Sequence, residues 1–446
     1  MLAAGLFYAL ALSYAHANYL NPVWEYYYFT YSPPGPAGYA LILMLTSIGA
    51  LWMPLRAHSA SSIVLIMLYI VVYVPTIVIT LGLRPLSDNP HVFLVIALCV
   101  CFTYVCVLVG SRSNANRDGM KVPSKQFEVG LVIAWIVCTI VLLASYGSIM
   151  RFAGLDEIYE QRAAASDANV LLAYTRTYYS DVFSSALIAL GLTKPKKLYL
   201  ALGFAGCLMT YMIAAQKTIF LLPLVIPALY VMLKSRHRFL GSTAFLVTVL
   251  SFSVIVAVRH YEDNILAFIY SGEFVLRTLA IPGSTLSEYS EVFGNDGYTW
   301  WSHVKGISLL ISPPVHFASH PAWPGLGYIV GEYFHGRAEV NENANLFASD
   351  GVAAAGVFGM WAISTVLAIY LRVLDRATRG WNPRLAVLLI FPLANDLTNG
   401  PLFTVLLSFG GIFWVVFARF FTTPKAAPPT ASRRPRRCGI GVLSPN

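Results

Sequence analysis

Charge is scarce in this sequence. Asp, Glu, Lys and Arg make up 11% of its 446 residues, against roughly 25% in a soluble domain. With 57% hydrophobic residues and a mean hydropathy of +0.65, the shortage argues against a water-soluble domain with its own charged shell. Cysteine is sparse as well. Cys99, Cys101, Cys106, Cys138 and Cys207 fall in apolar runs and Cys438 in the C-terminal tail, so neither a disulfide framework nor a thiolate zinc site is expected. No Lys or Arg precedes Arg56. The apolar run 1–17 ends in Ala15, His16 and Ala17 like a signal-peptidase site, but it lacks the basic n-region and reads as a first membrane helix. Neither GxxxxGK[ST] nor a strand-bound GxGxxG occurs, which speaks against nucleotide hydrolysis and dinucleotide redox chemistry. No repeat of 20–50 residues is found either.

What is present is a series of apolar runs near the roughly 20 residues that a membrane helix needs. They fall at 1–17, 37–54, 62–82, 91–110, 127–149, 179–193, 198–215, 218–233, 239–258, 350–371, 384–398 and 401–421. No alternating pattern of barrel strands recurs, so the expected fold class is all-α: a polytopic membrane protein of about 12 helices. With both termini cytoplasmic, 21 of the 30 basic residues lie in inner segments, and the bias holds in each short loop. The net charge of +9 therefore follows topology, and no nucleic-acid partner is expected. Residues 1–421 read as one transmembrane domain with periplasmic loops at 150–178 and 259–349, and 422–446 as a disordered cytoplasmic tail rich in Pro and Arg.

The stretch 259–349 is the long polar segment. It holds five of nine histidines and nine of twenty-one acids. Basic residues on the outer side run against the topological bias and invite explanation. Lys217, in the turn Gln216-Lys217-Thr218, is either a functional cation at the membrane boundary or a snorkelling helix anchor. Arg162 and Arg176 lie in the 150–178 segment, of which 155–174 suits a short amphipathic helix; they are either solvated ion-pair members or cations aimed at an anion. Arg277 falls at the end of an expected interfacial helix, 265–281, before Pro282-Gly283. There it either balances the helix C-terminus or grips a phosphate bidentately. His316 and His320 share metal-ligand spacing, but Pro313, Pro314 and Pro321 flank them and no third ligand is near, so no metal is assigned. Residues 325–350 concentrate polar groups, among them Glu332, His335, Asn343 and Asn345. An Asn there is also a natural helix N-cap. Asn395, Asp396 and Asn399 add a second polar edge.

Four short patches carry a family resemblance. Asn341-Glu-Asn-Ala-Asn-Leu-Phe347 followed by Gly356-Val-Phe-Gly359 resembles the late segment of Wzy-type O-antigen polymerases. Phe274-Val-Leu-Arg-Thr-Leu-Ala-Ile-Pro-Gly-Ser284 is similar to their loop segment with Arg before a Pro-Ser turn. Ile158-Tyr-Glu-Gln-Arg-Ala-Ala-Ala165 and Gln216-Lys217 are similar to further segments. Together they cover 32 of the 446 residues. The sequence departs from the pattern in having a single Arg at 277 and in its histidine-rich loop.

The resemblance implies a GT-C-like inner-membrane glycosyltransferase working at the periplasmic face without cofactor or metal. It would join undecaprenyl-pyrophosphate-linked oligosaccharide units, with membrane lipid and a chain-length regulator protein as partners. Arg162, Lys217, Arg277 and Arg176 would hold the pyrophosphate. Glu332, then His335, would accept the proton from the attacking hydroxyl. Asn343, Asn345, Trp300, Trp301, Tyr328 and Tyr333 would contact glycan, although interfacial anchoring also suits the aromatics. The alternatives are an O-antigen ligase, for which His335 is the natural residue, and a lipid-linked sugar flippase or secondary transporter.

Overall fold

The computed structural model describes residues 1–110, 121–152, 154, 157–165, 169–235, 237 and 239–424. The basic residues Arg112, Arg117, Arg236 and Arg238, the acids Asp156 and Asp167, and the tail from 425, with Arg433 to Arg437 and Cys438, lie outside them.

Among the described residues, nine helices are long and apolar enough to cross a membrane. They are Gly35–Trp52, Ala60–Gly82, Val92–Val109, Lys125–Tyr146, Lys197–Ala214, Lys217–Lys234, Thr243–His260, Ile265–Asp296 and Phe347–Ala377. The pair Leu402–Ser408 and Gly411–Phe420, bent by 51°, makes a tenth if counted as one span. The chain is a helical, polytopic membrane protein. The expected spans at 1–17, 179–193 and 384–398 are also helical, on Leu2–Ala15, on Tyr178–Ser184 with Ser185–Thr193, and on Pro383–Asp396, but are not among the nine. Ala60–Gly82 is buried almost throughout, as an all-round apolar helix must be when other helices surround it.

The connecting segments sort into two poles. At one, Lys121–Pro123 pairs antiparallel with Thr422–Pro424, so the expected tail begins as a strand. Lys121 also bridges to Trp381, Thr243 donates to the Leu55 carbonyl at 2.9 Å, and Ser61 binds Asp375. Lys194 and Lys196 both pair with Glu128 there. At the other pole Ser32 donates to Gly82 O at 2.8 Å, Arg151 to Met212 O at 3.2 Å, and Tyr28 to Phe334 O at 2.6 Å. Each of these contacts joins segments that the charge pattern puts on one side.

The helix Ile265–Asp296 differs from expectation. Pro282-Gly283 does not end it. The residues Ser271–Ala280 form a π-helical segment, and the widened spacing just before Pro282 accommodates a ring that lacks an N–H and would crowd an α-helical carbonyl. The same device precedes Pro75, behind the π-helical Leu68–Tyr73. The two helices cross where a Cβ on Gly283 would stand 3.0 Å from the Pro75 carbonyl group, and Thr80 donates to Gly283 O at 3.4 Å. Ile265–Asp296 reaches the second pole through Glu273 to Lys217 and Tyr289 to Glu342 O, while Tyr270 bonds Ser253 in the interior of Thr243–His260 at 2.7 Å. The expected span at 350–371 is also altered. Phe347–Ala377 breaks at Ala355 and Gly356, where Gly356 has φ +59°, and Thr299 and Trp300 donate to the freed carbonyls of Ala353 and Ala354 at 2.9 Å.

Candidate functional site

Helix ends at the second pole enclose a cavity of about 750 Å³, within the range of small-ligand sites. Five separate parts of the chain bring polar groups to it. Arg162 comes from the short helix Ile158–Ala164, and Lys217 from the start of Lys217–Lys234. Glu273, Arg277 and Thr278 come from the π-helical segment. Asn343 belongs to a loop, and Asn395, Asp396 and Asn399 come from the end of Pro383–Asp396 and the turn beyond it. Apolar wall is supplied by Val71, Phe220, Leu221, Ile269 and Phe409. Leu221 and Ile269 keep 47% and 38% of their surface exposed, so the apolar wall is open rather than sealed.

Local structure explains how the cations arrive there. Gln161 is buried, and its amide donates to Ile149 O, Met212 O and Ile213 O at 2.8–3.0 Å. It thereby ties Ile158–Ala164 to the frayed end of Lys197–Ala214, where Ala215 turns left-handed at φ +48°. Arg162, the next residue, donates to Ala215 O at 3.4 Å from the cavity rim. Lys217 is ion-paired with Glu273, each about a third exposed. Such a pair is worth about 1 kcal/mol or less. Charge-assisted contacts to an anion contribute about 1.5–3 kcal/mol each, so an anionic ligand can displace Glu273. Arg277 lies on the same face, one π-helical turn on.

The other expected residues sit elsewhere. Arg176 is on Val170–Thr177, outside the lining, and donates to Ala165 O at 3.0 Å. Glu332 faces His320 across 3.6 Å, and His335 accepts or donates at 3.1 Å to Glu342; neither lines the cavity. Polar density in the 325–350 stretch draws attention to them, but their partners are His320 and Glu342 rather than the cavity. Asn345 is buried. Its Oδ1 accepts from Phe347 N at 3.0 Å and its amide donates to Pro282 O and Thr285 Oγ1 at 3.4 Å, so the side chain is spent inside the protein rather than on glycan. Trp301 donates to Asp350 O at 2.8 Å, while Trp300, Tyr328 and Tyr333 are solvent-exposed away from the lining. His316 sits on the four-residue turn Val315–Ala318 and His320 beyond it, so the two do not share a helix face. Among the described residues no group of three or more metal-ligating side chains converges.

Two polar clusters flank the cavity. Tyr27 donates to Glu342, whose neighbour Asn343 lines the cavity, and stacks on His335 with centroids 4.2 Å apart. Burial, and then the bond to Glu342, pushes the Tyr27 hydroxyl well above the usual phenol range. His303 bridges Thr299 at 2.9 Å and the buried Asp350 at 3.3 Å, and Asp350 also accepts from Phe403 N at 3.4 Å. Sequence reasoning missed Gln161 and Glu273. A glutamine next to a candidate Arg gives no signal of the carbonyls it will cap, and Glu273 becomes meaningful only once Lys217 faces it. No family model, no curated protein and no solved structure matches the chain.

Proposed function

We propose that this chain is a metal-independent glycosyltransferase of the Wzy type, joining undecaprenyl-pyrophosphate-linked oligosaccharide units at the periplasmic face of the bacterial inner membrane. The observation that carries the reading is that Arg162, Lys217 and Arg277, from three separate elements, border one cavity at a helix-end pole beside an open apolar wall. Departure of a diphosphate from a sugar builds charge on its bridging oxygen, and preorganised cations stabilise that charge best in a site partly shielded from water. The apolar wall suits a polyprenyl tail, and Asn343, Asn395 and Asn399 offer amides to sugar hydroxyls. With both termini cytoplasmic, the positive-inside bias puts this pole outside.

Chain extension then needs no nucleotide sugar. The donor is a glycan on its lipid diphosphate, and the acceptor is a terminal hydroxyl of a fresh lipid-linked unit. A chain-length regulator protein is the expected protein partner. A ligase that transfers the finished glycan to lipid A core is the second reading, favoured by His335, which Glu342 orients and Tyr27 covers. A transporter would draw on the broken Phe347–Ala377 helix, but its Asp350 is already bound to His303 and to Phe403 N.

Deletion of the gene followed by electrophoresis of surface polysaccharide tests the reading. A single repeat unit on lipid A core is the expected result. A bare core with accumulated lipid-linked polymer would transfer the assignment to the ligase, and an unaltered ladder would reject both.

A further inference from the structure

The cavity has two carboxylates, and they differ in what already occupies them. Glu273 is committed to Lys217. Asp396, the last residue of Pro383–Asp396, also lines the cavity, and its Oδ2 is buried without a hydrogen-bond donor among the described residues. A buried carboxylate oxygen ordinarily finds a donor, because leaving it unpaired forfeits its hydration. An acid with accepting capacity to spare, bordering the same ligand-sized space as three cations, is placed where a reaction would use it. Its neighbours support that role. Asn395 and Asn399 border the same space, and the turn is held by Asn399 N donating to Asp396 O at 3.2 Å and Thr398 donating to Asn395 O at 2.6 Å.

Resting on the polymerase reading, we propose that Asp396 is the proton acceptor for the attacking sugar hydroxyl, in place of Glu332 or His335. The hydroxyl proton passes to the Asp396 carboxylate. The hydroxyl oxygen forms the new bond to the donor's anomeric carbon while the bond from that carbon to the diphosphate oxygen breaks. The diphosphate keeps the electron pair and leaves as an anion toward Arg162, Lys217 and Arg277, and Asp396 returns its proton to water after product release. Glu273 has the separate task of holding Lys217 in the cavity until the anion replaces it.

The test uses the full-length chain in lipid nanodiscs with a polyprenyl-diphosphate-linked oligosaccharide as probe, measuring extension by gel and lipid release by chromatography. A positioned proton acceptor contributes about 10²-fold or more to rate. Asp396→Asn should therefore lower turnover by about that factor with KM little changed, and Asp396→Glu should keep about a tenth of wild-type turnover. Wild-type turnover in Asp396→Asn overturns the assignment while the polymerase reading stands, and so does a loss that lies wholly in KM. Should the Asn variant be lost from the membrane, the Glu variant decides: reduced turnover at unchanged KM supports the role, and wild-type turnover removes it. A wild-type chain that extends nothing, in a strain whose deletion leaves the glycan ladder intact, removes the polymerase reading and the proton acceptor together.

Discussion

Arg277 shows what a single residue's position on the charge map reveals and what it hides. A basic residue on the side that topology keeps poor in Lys and Arg calls for an explanation, and that signal picks out Arg162, Lys217 and Arg277 from the sequence. The structure gathers those three around one space. The sequence does not disclose the acids that share it. Glu332 and His335 stand in the most polar stretch, yet their side chains close on His320 and Glu342, whereas Asp396 is reached only by folding a segment more than a hundred residues from Arg277 against it. Two expectations follow at this scale. Arg277→Ala should lower chain extension by about 10²–10³-fold, the usual cost of losing a preorganised charge stabiliser, with the protein still inserted and abundant by immunoblot. A full ladder of long glycans from that strain would take Arg277 out of the site. Gln161→Leu removes the amide that serves three carbonyls at the end of Lys197–Ala214. It should cost about 1–3 kcal/mol of stability, seen as a lower midpoint in thermal unfolding in detergent, and should weaken extension because Arg162 loses its anchor.

At the scale of elements, local punctuation was legible and its meaning was not. Pro282-Gly283 reads as a helix stop, and it is instead a crossing point. A π-helical segment before Pro282 and another before Pro75 absorb the two rings, and the glycine lets the backbones touch. Both π-helical segments reach the cavity, through Val71 on one and Glu273, Arg277 and Thr278 on the other, so the distortion that admits the prolines also aims the ligand-facing side chains. Gly283→Leu forces a side chain against Pro75 at 3.0 Å and cannot be relieved by a rotamer, because the obstacle is backbone. It should cost about 1–3 kcal/mol by overpacking and abolish extension before it abolishes insertion. Gly356 makes the parallel case. It combines φ +59° with a Tyr298 hydroxyl 2.8 Å from any added Cβ, so Gly356→Ala should cost about 1–2 kcal/mol in backbone strain alone. An unchanged unfolding midpoint in either variant would refute the account of these junctions.

For the whole molecule, the frame was legible because composition and charge act through the bilayer itself: apolar runs become helices, and basic residues gather at one pole. The helix Ile265–Asp296 was not, because its stretch reads as polar loop, yet it is long and apolar enough to span. The contacts within each pole give a sharp topological expectation. Glu157, beside the cavity-bearing pole, and Lys125, beside the strand pair, are both exposed, and the native cysteines among the described residues are buried or half-buried. In a cysteine-free background, Glu157→Cys should react with a membrane-impermeant maleimide in intact spheroplasts. Lys125→Cys should react only after the membrane is opened. The reverse pattern would turn the cavity toward the cytoplasm, where the lipid-linked acceptor is not presented, and labelling of both from outside would mean that the two poles do not lie on opposite faces. Only the first outcome leaves the three cations on the side where a lipid diphosphate can depart into the periplasmic leaflet.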